Sequence, residues 1–143
     1  MTNQNFNTSA QFINANAAGP SSSGNLLVSF NIAGLHDNVT TTVIAMADAM
    51  AVYACMNRDG SFPSNSKRTE VSGTLEASGE FTSGGNGQIT RMLTLSPPAS
   101  TLEFPGGMIM VLVSVFYTNI EIFEPDAGVQ FIPGTFERTF FEI

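Results

Sequence analysis

Thr69–Thr82, TEVSGTLEASGEFT, decides the fold class. Val71, Gly73, Leu75, Ala77, Gly79 and Phe81 share one parity, while Glu70, Ser72, Thr74, Glu76, Ser78 and Glu80 share the other. Period two sends alternate side chains to opposite faces of a strand, here the apolar set to a core and the glutamates to water. A helix would scatter those glutamates around its circumference, so the segment reads as strand. Ser83-Gly84-Gly85-Asn86-Gly87 then reads as a hairpin loop, because glycine and asparagine tolerate positive φ. Gln88–Ser96 is the expected return strand, stopped by Pro97-Pro98, since proline cannot donate to a ladder.

Working outward, Asn25–Ile32 alternates Leu26, Val28, Phe30 and Ile32 with Leu27, Ser29 and Asn31. Met108–Phe123 is apolar on both parities for much of its length, the pattern of a strand covered on both faces and therefore central. Gly128–Ile143 closes the chain, with a bulge or bend expected at Pro133-Gly134. Thr40–Met56, TTTVIAMADAMAVYACM, is ambiguous: Val43, Met46, Ala47 and Met50 fall at helical spacing, and alanine and methionine favour helix. Its β neighbours and the poor helix start Thr40-Thr41-Thr42 favour strand. Strands separated by Gly, Pro and Asn turns, without βαβ alternation, predict an all-β fold. The expectation is an antiparallel two-sheet sandwich, Ig-like or jelly-roll-like, of about seven strands plus an N-terminal arm. Residues 1–18 form that arm, 19–24 a Gly/Pro/Ser connector, and 25–143 the sandwich.

The 143 residues fit one domain, large enough to need no metal or disulfide staple. Charged residues are only 12%, about half the usual share, and net charge is −7. Five scattered basic residues against twelve carboxylates argue against a nucleic-acid partner, whose phosphates demand positive charge, and against anionic membranes. Apolar runs such as Met108–Val113 are far short of a bilayer span. The opening MTNQNFNTSAQF has neither the basic nor the apolar region of a signal peptide. Asn7-Thr8-Ser9 and Asn38-Val39-Thr40 match the glycosylation sequon, which matters only in a eukaryotic secretory host.

Catalytic chemistry finds little support. His36, the one histidine, lies in a predicted turn His36-Asp37-Asn38, and no Gly-x-Ser-x-Gly elbow accompanies it. Cys55 sits between Ala54 and Met56, surroundings that suit a buried structural thiol rather than a nucleophile. Glu76 and Glu80 share a strand face but stand roughly 13 Å apart along it, too far for a glycosidase pair. Glu121, Glu124 and Asp126 cluster at a turn, as do Asn57-Arg58-Asp59-Gly60, but neither matches an EF-hand, and turn chemistry accounts for both. No phosphate loop, dinucleotide fingerprint or zinc spacing occurs, so no cofactor is expected.

From Asn25 onward the chain resembles a family of small secreted bacterial and fungal β-proteins of unknown function. The stretches that carry the likeness are GNLLVSFNIAGL (Gly24–Leu35), ADAMAVYACMN (Ala47–Asn57), VSGTLEASGEFTSGGNGQITRMLTLSPP (Val71–Pro98) and Val113–Phe141, where VSVFYTNIEI leads to IPGTFERTFF. The resemblance implies strand over Thr40–Met56 and an extracellular or cell-surface setting. It also implies a cysteine partner for Cys55 at position 104, where this chain has Phe104, within Leu102-Glu103-Phe104-Pro105. It brings no catalytic or ligand residues.

Two functional expectations follow. The first is a non-enzymatic structural protein that self-assembles through strand and edge contacts into a filament, coat or layer, as low charge and abundant Thr, Ser and Asn suggest. Its N-terminal arm, through Phe6, Phe12 and Ile13, would add to a neighbouring subunit. The second is a secreted module binding carbohydrate or protein through loops at one sandwich end, with Arg58, Asp59, Phe62 and Asn65 as the contacting residues.

Overall fold

A computed structural model describes residues 9–64, 66–101 and 103–143. The described chain is all-β. Its strands are β1 (Gln11–Ala18), β2 (Leu26–Ala33), β3 (Thr40–Asn57), β4 (Arg68–Thr82), β5 (Ile89–Leu95), β6 (Met108–Glu124), β7 (Gly128–Ile132) and β8 (Phe136–Thr139). They form a three-stranded sheet of order β1-β2-β5 and a five-stranded sheet of order β4-β3-β6-β7, with β8 also on β6. Every pairing is antiparallel. β8 pairs Ser114–Tyr117 and β7 pairs Ile120–Glu124, so the two lie end to end along one side of β6. Of the two expected sandwich types, this order is the immunoglobulin-like one: strands 1, 2 and 5 stay together, as do 3, 6 and 7. The fourth strand flanks the third rather than the fifth.

The core lies between the sheets. From β2 come Leu26, Val28, Phe30 and Ile32, all buried; from β3 come Val43, Ala45, Ala47, Ala49 and Ala51; from β6, Val115, Tyr117, Ile120 and Ile122. Phe30 meets Phe81 of β4 edge to face, with centroids 5.5 Å apart. Small inward side chains along β3 leave room for the larger ones of β2. That packing resolves the ambiguity of Thr40–Met56: it is one continuous strand, and tertiary context overrides the helical propensity of Ala and Met. β4 keeps the predicted parity, its apolar set half-covered and its glutamates exposed.

Two expectations are corrected. β4 and β5 are not a hairpin, because β4 pairs with β3 and β5 with β2, so Ser83–Gly87 carries the chain from one sheet to the other. Alternation reports which face a side chain takes, not which strand is next to it. The 19–24 segment is not a loose connector. It is the β1–β2 turn, closed by Ser21 N–H donating to Asn25 O at 2.9 Å and Gly24 N–H donating to Ser21 O at 2.8 Å. Within the described arm, Gln11–Ala18 pairs along its length with β2 of the same chain, from Gln11 opposite Ala33 to Ala18 opposite Leu27. Phe12 packs, partly buried, against the chain's own core.

Tyr117 ties the two layers. Its fully buried ring spans the core from β6, and its hydroxyl donates to the Gly24 carbonyl before β2 at 2.5 Å. Burial pushes its ionisation well above the ordinary tyrosine range. Tyr117→Phe should cost about 1–2 kcal/mol in urea unfolding, since it leaves a buried carbonyl without its donor.

Candidate functional site

The residues expected to carry function are dispersed. Phe6 and Asn65 lie outside the described residues. Ile13 sits at a register shift in β1 and is half exposed, pointing away from Phe12. Arg58 is exposed. The Asp59 carboxylate is committed to its own turn, accepting from the Ser61 N–H at 3.0 Å and the Ser61 hydroxyl at 2.6 Å, and these bonds lower its pKa. Phe62 is partly buried, its ring packing edge to face on Phe141 with centroids 5.4 Å apart. The loop closes a cleft of about 290 Å³ with Cys55, Pro63, Pro105 and Met108 among its walls.

The chemistry candidates resolve structurally. His36 is exposed, and its contact with a serine is through the backbone: buried Ser83 donates its hydroxyl to the His36 carbonyl at 2.5 Å and accepts from Val39 N–H at 2.9 Å. Ser83 is therefore a loop clamp. Glu124, of the acidic turn, is fully buried. One oxygen accepts from the backbone N–H of Asp126 at 2.8 Å and Ala127 at 2.6 Å, and the other from the Thr41 hydroxyl at 2.6 Å. That carboxylate staples the β6–β7 turn to β3. Among the described residues no group of three or more His, Cys, Asp or Glu could hold a metal. Cys55 is buried and its thiol unpaired. Native-state labelling by a thiol reagent should accordingly be slower than labelling of the denatured chain by orders of magnitude.

What the structure brings together is the outer face of the five-stranded sheet. β3 turns its larger apolar side chains outward, not inward: Ile44, Met46, Met50 and Val52 are half-exposed there while Ala45, Ala47, Ala49 and Ala51 fill the core. Beside them β6 contributes Phe116 and Phe123, directly opposite Met50 and Ile44. β7 adds Val129, 48% exposed, and Phe131, 68% exposed. The outer face of the three-stranded sheet is more polar, with Asn14, Asn16, Ser29, Asn31, Thr90 and Thr94 in outward positions beside Leu27 and the exposed Met92. Apolar residues on both parities of β6 were visible in the sequence and read as double coverage. In the folded chain the second face is open.

Charge on this face is almost entirely negative. Glu70, Glu76 and Glu80 of β4, Asp48 of β3, Glu121 of β6 and Glu137 of β8 point outward, with Arg68 at one end. Asp48 accepts from Thr74 Oγ1 at 3.0 Å and from Asn119 Nδ2 at 2.9 Å, and both bonds lower its pKa, the Asn119 bond more. Asn119 takes φ of 53° at the second of two register shifts in β6, which aims its amide at Asp48.

No family model, no characterised protein and no solved structure matches the chain.

Proposed function

We propose that this is a non-enzymatic structural protein that self-assembles by its sheet edges into a filament or layer. The observation that supports this reading is the directional match between the two edges of the five-stranded sheet, which carry no further strand among the described residues. That sheet has β4 at one edge and the β7–β8 pair at the other, separated by β3 and β6, with each neighbour antiparallel. Strand direction therefore reverses at each step, and β4 runs opposite to β7. A copy placed edge to edge in the same orientation offers its β4 to β7 and β8 as the next antiparallel strand. Such head-to-tail contact uses two different surfaces and does not close, which generates filaments.

β4 is a long edge, 15 residues, paired on one side only, with β3, among the described strands. At the opposite edge, exposed Phe131 and Val129 of β7 add apolar surface that a neighbour would cover. Like charges limit the competing contact of β4 with β4, because antiparallel self-pairing sets glutamates of this strand against one another. The extracellular or surface setting implied by the family resemblance belongs to the same proposal. Phe131→Glu changes an exposed side chain and should leave the fold intact, while placing a charge where β4 of the next subunit would dock. Loss of large species in sedimentation velocity with an unchanged circular dichroism spectrum supports edge assembly; undiminished assembly opposes it.

A further inference from the structure

On the outer face of the same sheet, a groove of about 270 Å³ runs across β4, β3, β6 and β8. Met50, Val52 and Phe116 form an apolar floor, with Ser114 among them. Glu70 stands on the β4 wall and Glu137 on the β8 wall. Neighbouring strands are about 4.8 Å apart, so the two walls are separated by roughly 14 Å. That width accepts an extended polypeptide lying across the strands. A second hollow, of about 190 Å³, shares Met50 and Phe116 with the first and extends it to Asp48. Arg138 also borders the groove, but its guanidinium donates to the Pro20 carbonyl at 3.2 Å and lies 5.1 Å over the Phe140 ring. The positive group is thus engaged at the side of the sandwich, and the groove's carboxylates keep no cation of their own among these contacts.

We infer that this groove binds a basic, partly apolar polypeptide segment, with Lys or Arg side chains on Glu70 and Glu137 and apolar ones on the Met50–Phe116 floor. Charge complementarity selects that occupant. A second copy of this acidic chain would bring carboxylates against carboxylates, and a neutral apolar segment would leave Glu70 and Glu137 desolvated without partners. The walls give register and encounter rate, and the floor gives the affinity that a purely electrostatic contact lacks.

The test is calorimetric titration of the full chain with a short peptide of alternating lysine and valine, compared with an oligolysine of equal charge. Saturable binding is expected for the first and markedly weaker binding for the second. Glu70→Gln/Glu137→Gln should weaken the lysine–valine peptide about tenfold. Glu103→Gln, a charge change in an exposed loop off this face, should leave binding unchanged. Met50→Ser should weaken the lysine–valine peptide but not oligolysine. Phe131→Glu, which blocks the proposed edge contact, should still bind, so failure of edge assembly and failure of this inference are separately visible. Equal affinity for the two peptides, or indifference to Glu70→Gln/Glu137→Gln, overturns the inference.

Discussion

Gly87→Ala should destabilise the protein by about 3 kcal/mol or more, while Gly85→Ala, two positions away, should be nearly neutral. Gly87 is buried in the segment that carries the chain between sheets and holds φ of +73°. That conformation alone costs an L-residue about 1–2 kcal/mol. A Cβ at this position would also stand 2.1 Å from the Leu35 carbonyl oxygen, a backbone atom that cannot move aside cheaply. The crowding is functional, since Leu35 N–H donates to Gly87 O at 3.1 Å and locks the β2–β3 loop onto the β4–β5 crossing. Gly85 meets nothing within 4 Å. Urea unfolding of the two variants measures the difference. Equal stability would mean that the two loops are not packed as described.

Glu124→Ala should cost about 3 kcal/mol, an unusually large effect for a carboxylate in a turn. Removing it takes the acceptor from two part-buried backbone N–H groups and from the Thr41 hydroxyl, around a side chain that is itself fully buried. Hydrogen bonds to a charged group contribute about 1.5–3 kcal/mol each at most, and their loss is only partly recovered by relaxation of the turn. Glu124→Gln retains an acceptor oxygen and should fall between the alanine variant and the parent. Glu76→Ala, on the exposed outer face of β4, should change stability by less than about 0.5 kcal/mol. A comparable loss at both positions would deny Glu124 its role as a staple.

These two positions also mark where the sequence stops being informative. β4 is legible because apolar residues or glycine alternate with Glu, Ser or Thr without interruption from Glu70 to Phe81. β3 is less plain, because Ala and Met satisfy helical and strand spacing alike; its β neighbours and the start Thr40-Thr41-Thr42 favour strand, and the packing of Ala45–Ala51 against β2 bears that out. Gly84–Gly87 has the composition of a hairpin, yet its glycines serve a crossing between sheets, where Gly87 yields to a loop distant in sequence. Glu124 reads as part of an acidic turn, and its carboxylate does hold that turn. Its burial depends on Thr41, 83 residues earlier, and nothing local announces that.

The outer face is legible only in part. Its glutamates stand out in β4, and β6 shows apolar residues on both parities. That Ile44, Met46, Met50 and Val52 face outward follows from the sheet's layering, which fixes the alanine parity as the core side. The edge match between β4 and β7 is a property of strand order, and it emerges only when β8 and β7 are seen to share one side of β6.

Edge assembly makes a geometric prediction that helical reconstruction from electron micrographs of the concentrated protein measures directly. Four strand positions at about 4.8 Å give a rise of roughly 19 Å per subunit along a continuous sheet. The usual twist of about 20–25° per strand gives a rotation of roughly 90° from one subunit to the next. A filament with that rise and rotation, lost in Phe131→Glu, is the predicted result. A protein that stays monomeric at high concentration, or a filament whose rise corresponds to whole domains stacked without shared strands, would contradict it.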